Sequence, residues 1–151
     1  MKKIKKVVLW VFVFLWMGNI LRFSSAPAEI SKKQSGFFVV LIQQILSTIE
    51  MKWHIVITSS GQLDHLVRKT AHVVNYFVLA ILLWLAFFEP GKKGKLTYVK
   101  AGLVAFLFSI LDEVYQTFIP GRAGMASDVL IDTIGIMLAL FLFSYLGRKV
   151  Y

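Results

Sequence analysis

The alternation of apolar runs with short polar breaks predicts four membrane-spanning helices. Residues 7–23 are apolar until Asn19 and Arg22, and residues 70–88 contain no Lys, Arg, Asp or Glu. Residues 98–118 and 128–146 are apolar except at a few ionisable positions. A helix needs roughly 20 residues to cross a hydrocarbon core of about 30 Å, and each run is of that order. Turn signals separate them: Ser59-Ser60-Gly61, Glu89-Pro90-Gly91 and Pro120-Gly121.

The stretch between the first two runs reads differently. Residues 24–35 are small and polar, as in a loop, and Gly36 to Ile49 is again apolar but too short to span comfortably. Gln43, Gln44, Ser47, Glu50 and Lys52 interrupt it, so an amphipathic helix over about 36–50 is expected on the outer membrane surface. Trp53 and His54 would then lie in the interfacial zone. A spanning helix over 36–58 is the alternative. The first run also admits two readings, an uncleaved anchor or a signal peptide cut near Ala26-Pro27-Ala28. The anchor is favoured because the rest of the chain is itself membrane-embedded. The expected fold class is therefore all-α, a single domain over 1–151 with four spans and an extracytoplasmic surface helix between the first and second.

Composition supports this class and removes others. The 151 residues are 58% hydrophobic, with a mean hydropathy of +0.72, above the roughly 45–50% apolar usage of soluble domains. Cysteine is absent, which excludes thiol catalysis and thiolate metal sites. The net charge of +9 does not point to nucleic acid, because the basic residues sit beside the apolar runs. Lys2, Lys3, Lys5 and Lys6, then Lys92, Lys93, Lys95 and Lys100, then Arg148 and Lys149 all fall on one side of a four-span topology. Arg122 alone occupies the short connection on the other side. Basic residues favour the cytoplasmic side, so both termini are expected there and the connection carrying Arg122 outside.

The candidate chemistry is a set of polar groups inside the spans. His65, Lys69, His72 and Tyr76 recur at helical spacing on one face. Asp112, Glu113 and Gln116 fall within an arc of about 100° on the third helix. Asp128 and Asp132 stack one turn apart on the fourth. All lie toward the outward ends, so the three faces are expected to meet in the outer leaflet. Burying a carboxylate among lipids costs about 2.5–3.5 kcal/mol on insertion scales, so such groups mark a site unless a structural pairing explains them. Such pairings are available: Asp128 as a first-turn cap, Asp112 or Glu113 bridged to Arg122 or Lys69, and His72 and Tyr76 as packing residues. No strong metal spacing, nucleophile elbow or Gly-rich phosphate loop occurs, so neither a metal nor a cofactor is expected, and a metal held by His72 with carboxylates is the lesser alternative.

Taken together, Arg68-Lys69-Thr70-Ala71-His72 with Tyr76 and Leu79, Leu111-Asp112-Glu113-Val114-Tyr115-Gln116, Pro120-Gly121-Arg122, and Ser127-Asp128-Val129-Leu130-Ile131-Asp132 with Gly135 resemble the VanZ family. The likeness is strong from Asp64 to Leu146, and Phe23-Ser24-Ser25 resembles the family's start of the outer loop. It implies a multi-pass protein of the bacterial cell membrane, associated with low-level resistance to teicoplanin-type glycopeptides without an altered peptidoglycan terminus. The polar positions it carries over are Lys69, His72, Tyr76, Asp112, Glu113, Gln116, Arg122, Asp128 and Asp132. It supplies no reaction.

Two functional classes follow. In the first, the outward site binds an anionic lipid or lipid-linked cell-wall intermediate, with Lys69 and Arg122 holding the anion. In the second, the site is an enzyme acting on a lipid head group, with Asp112 or Glu113 as base and His72 as acid. Proton-coupled transport ranks last, because residues 79–88, 101–108 and 137–143 are apolar and offer no polar path to the cytoplasm.

Overall fold

The computed structural model describes residues 2–27, 30, 36, 39–44, 60–89 and 94–147. Four long helices dominate them: α1 (Lys2–Ser24), α2 (Ser60–Phe87), α3 (Gly94–Gln116) and α4 (Ala126–Gly147). All four are long and apolar enough to cross a membrane, and no strand occurs among the described residues. The fold is an all-α bundle of a multi-pass membrane protein. The second helix starts at Ser60, well before the expected span at 70. Its 28 residues extend about 42 Å, more than a hydrocarbon core of about 30 Å, so its first turns project past the apolar slab. An Asp64–Arg68 ion pair at 3.6 Å, one turn apart, supports this polar extension. Residues 36 and 39–44 are helical. The other positions of the expected surface helix over 36–50, and of the alternative span to 58, lie outside the described residues.

Side-chain contacts fix the helix directions. As α1 advances through Lys6, Trp10 and Trp16, its partners on α2 and just past its C-terminal end retreat. Lys6 Nζ pairs with Glu89 Oε1 at 2.9 Å, Trp10 packs edge-on against Phe87, and Trp16 Nε1 donates to Asn75 O at 3.0 Å. The two helices are therefore antiparallel. Along α2 and α4 the partners advance together, from Lys69–Asp128 through His72–Asp132 to Trp84–Phe143, so these two run parallel. Tyr76 meets Asp112 and Trp84 meets Tyr98, which sets α3 antiparallel to α2. The C-terminal ends of α1 and α3 and the N-terminal halves of α2 and α4 thus share one end of the bundle.

Packing grades along the bundle axis. Away from that end the interior is apolar and rich in small side chains: Leu79, Ala80, Leu83 and Ala86 of α2 meet Ala101, Ala105, Ile136 and Ala139. Small residues let membrane helices approach closely enough for dispersion contacts to hold them, since lipid offers no hydrophobic drive for association. Val11, Phe14, Leu103, Leu107, Leu130 and Phe141 point outward and are exposed. In water these would form an apolar patch far larger than a soluble monomer tolerates; in a bilayer they face acyl chains.

Two glycines shape the polar end. Gly121 has φ of 76° in the turn Ile119-Pro120-Gly121-Arg122, where Arg122 N donates to Ile119 O at 3.0 Å. Proline second and a left-handed glycine third are the requirements of a type II turn, which joins α3 to α4. Gly135 lies against the α2 backbone: a Cβ there would strike Val73 O and press on Phe77 N. That close approach brings Asp132, one turn earlier on α4, within reach of His72.

Candidate functional site

At the shared end the bundle interior changes from apolar to polar. Asp112, Glu113 and Gln116 of α3, Asp132 of α4 and Ser24 of α1 are all buried there. Their positions follow from the helices that carry them. Asp112 lies four residues before the end of α3, about 6 Å deep, and Asp132 lies six residues after the start of α4, about 9 Å deep. The two carboxylates therefore lie at similar levels.

His72 of α2 links the helices. Its Nδ1 lies 3.2 Å from Asp132 Oδ1; with Asp132 ionised the carboxylate can only accept, so Nδ1 is the donor and Nε2 is left available on the opposite edge of the ring. One turn deeper, the buried Tyr76 hydroxyl donates to Asp112 Oδ2 at 3.3 Å. The Ser24 hydroxyl approaches the same carboxyl from α1. Glu113 accepts from Gln116 Nε2 at 2.8 Å on one oxygen and from Met125 N at 2.9 Å on the other. One potential ligand atom from each of His72, Asp112 and Glu113 lies within 4.8 Å of the other two. Asp112 Oδ1, Asp132 Oδ2 and Ser109 Oγ are buried without a hydrogen-bond partner among the described residues. Such orphaned atoms each cost about 1–3 kcal/mol unless something meets them.

Arg122 fastens this end together. Its Nε donates to Ala26 O at 2.8 Å, one terminal nitrogen to Gln116 Oε1 at 3.0 Å, and the other to Phe23 O at 3.2 Å. The guanidinium fork therefore ties the end of α1 to the α3–α4 turn, and Gln116 passes the connection on to Glu113. Three of its five N–H groups are used in this way, which leaves two. Burial lowers its affinity for the proton and the nearby Arg68 charge adds to this, while Asp112 and Glu113 act in the opposite direction.

Lys69 forms the mouth. Its Nζ stands 3.8 Å from Asp128 Oδ1, with both side chains partly exposed. Asp128 also accepts from Ser127 Oγ at 3.2 Å and sits in the first turn of α4, where the helix dipole favours a negative charge.

The structure brings together all nine positions anticipated from sequence: Lys69, His72, Tyr76, Asp112, Glu113, Gln116, Arg122, Asp128 and Asp132. His65, expected on the same face of α2, is exposed. The salt bridge from Arg122 or Lys69 to Asp112 or Glu113, the structural alternative to a site, is not formed. Arg122 instead reaches main-chain carbonyls at the end of α1, where Phe23 O also accepts from Ala26 N, and Lys69 is nearer to Asp128. Ser24 and the Met125 amide were not anticipated as contributors; the Phe23-Ser24-Ser25 likeness was the one available signal for the former.

No curated protein and no solved structure matches the chain. The VanZ/LLP1 family does match, over residues 9–147, a range that contains the last three spans, most of the first and every polar group of the cluster. The chain is a member of the VanZ/LLP1 family.

Proposed function

We propose that this is a bacterial cell-envelope protein that contributes to low-level resistance to teicoplanin-type lipoglycopeptides. Its polar end faces outward and binds an anionic lipid or lipid-linked cell-wall intermediate, which reduces productive engagement of the drug. The observation that carries this reading is the convergence of buried polar side chains from all four helices at one end of an otherwise apolar bundle. The distribution of lysines along the chain supports the outward orientation.

Lys69 is the group positioned to meet an anion first. Its pairing with Asp128 is long and solvent-accessible, so it exchanges readily for a phosphate oxygen. Arg122 has two further N–H groups and already holds the floor of the mouth in place. Purified protein in nanodiscs should retain labelled anionic envelope lipids in preference to neutral ones, and Lys69→Gln should lose that preference. Equal retention of both lipid classes by the wild type would rule the reading out.

A second reading, an enzyme modifying a lipid head group, is favoured by the His72–Asp132 pair beside Asp112. Asp112 suits the role of base better than Glu113, because one of its oxygens is free of hydrogen bonds while both Glu113 oxygens are engaged. Labelled polyprenyl and glycerol lipids incubated with the protein would yield a product that disappears in Asp112→Asn. Absence of turnover across both lipid classes would exclude it.

A further inference from the structure

We propose that His72, Asp112 and Glu113 bind a divalent transition-metal ion at the centre of the polar end, held by an imidazole nitrogen and two carboxylates. The inference goes beyond lipid binding and does not depend on it, because ion binding is read without any lipid present.

Three observations converge. The first is proximity: three ligand-type atoms from two helices lie within 4.8 Å of one another. Around a tetrahedral ion with bonds of about 2.1 Å, ligand atoms stand about 3.4 Å apart, so a closure of about 1.4 Å or less completes the shell. The second is the orientation of His72. Its Nδ1 is held by Asp132, and a carboxylate on one imidazole nitrogen is the arrangement that presents the other to a metal and strengthens it as a ligand. The third is unmet polarity. Asp112 and Asp132 are fully buried, each has one oxygen without a partner, and neither forms a salt bridge with a Lys or Arg among the described residues.

Local cations do not meet this need. Lys69 is engaged at the mouth with Asp128, and Arg122 donates to two carbonyls and an amide oxygen. Protonating the carboxyls would remove charge but would add O–H donors that need acceptors of their own. A divalent ion supplies charge and coordination together. Hydrogen bonding does not exhaust Glu113, since a carboxylate offers about four lone-pair positions and two are used.

The donor set narrows the metal. One imidazole with carboxylate oxygens suits zinc or manganese, whereas magnesium and calcium prefer oxygen alone. A bound ion would also provide a Lewis-acidic contact for a phosphate oxygen entering past Lys69.

The test uses the full-length protein in detergent, stripped with chelator and dialysed against micromolar Zn2+ or Mn2+, with bound metal measured by mass spectrometry. Wild type and His65→Ala should each retain about one equivalent. Asp112→Asn and His72→Gln should retain less than a tenth of that at unchanged helicity and monodispersity. Asp132→Asn should weaken affinity about tenfold or more through loss of imidazole orientation. Cobalt substitution gives an independent readout: ligand-field absorption in the wild type that is absent from Asp112→Asn, even if the His72 variant misfolds. A wild type that retains neither ion, or retention unchanged in Asp112→Asn, overturns the proposal.

Discussion

Replacing Gly135 with alanine tests whether the close contact of α2 and α4 sets the His72–Asp132 pairing. The added Cβ would meet Val73 O and Phe77 N, both backbone atoms that cannot swing aside. Restoring ordinary non-bonded separation of about 3.5 Å requires the helices to part by about an ångström. The His72–Asp132 contact is already 3.2 Å, so this displacement breaks it. Overpacking costs about 1–3 kcal/mol and loss of a charge-assisted hydrogen bond about 1.5–3 kcal/mol. Alanine returns about 1 kcal/mol of helix propensity. The net destabilisation is about 1.5–5 kcal/mol, and at roughly 2–4 °C per kcal/mol for a chain of this size Tm should fall by about 3 °C or more. Gly18 of α1 is the matched control: its added Cβ meets nothing within 4 Å, so Gly18→Ala should leave Tm unchanged or raise it. Thermal unfolding in detergent followed by tryptophan fluorescence reads both. A Gly135→Ala midpoint at or above that of the wild type would refute the reasoning.

Other perturbations separate the structural parts of the polar end from the apolar interior. Arg122→Lys keeps the charge but cannot span the acceptors at Phe23, Ala26 and Gln116, so it should cost about 2 kcal/mol; equal thermal stability would contradict the clamp. Tyr76→Phe removes the donor to Asp112 Oδ2 and should destabilise by about 1–3 kcal/mol in the same assay. Leu83→Ala empties a fully buried position and should cost about 2–5 kcal/mol. Phe141→Ala, on a surface 71% exposed, should shift Tm much less, because that ring faces lipid; comparable losses would mean the outward face had been misidentified.

Much of this arrangement is legible in the chain. The 3.6-residue period places Lys69, His72 and Tyr76 on one face, and carboxylates inside apolar runs stand out because lipid offers them no hydration. Pairing is less legible. That His72 meets Asp132 rather than Asp112 or Glu113 depends on how deeply α4 seats against α2, which Gly135 decides through a contact with no signature in the local pattern. From sequence Arg122 reads as an anion binder or as a bridge to Asp112 or Glu113, because its main acceptors are carbonyls of Phe23 and Ala26, almost a hundred residues earlier. The potential metal cluster draws on α2 and α3 together, and motif spacing within one helix cannot reveal a ligand set divided between two.

The most direct test of the central claim is teicoplanin and vancomycin susceptibility in a host expressing wild type, His72→Gln, Asp112→Asn or Lys69→Gln, each at matched membrane abundance. The account predicts that the wild type protects selectively against teicoplanin and that each variant loses that protection while remaining in the membrane. Variants that protect as well as the wild type, or a wild type that gives no selective protection, would contradict it.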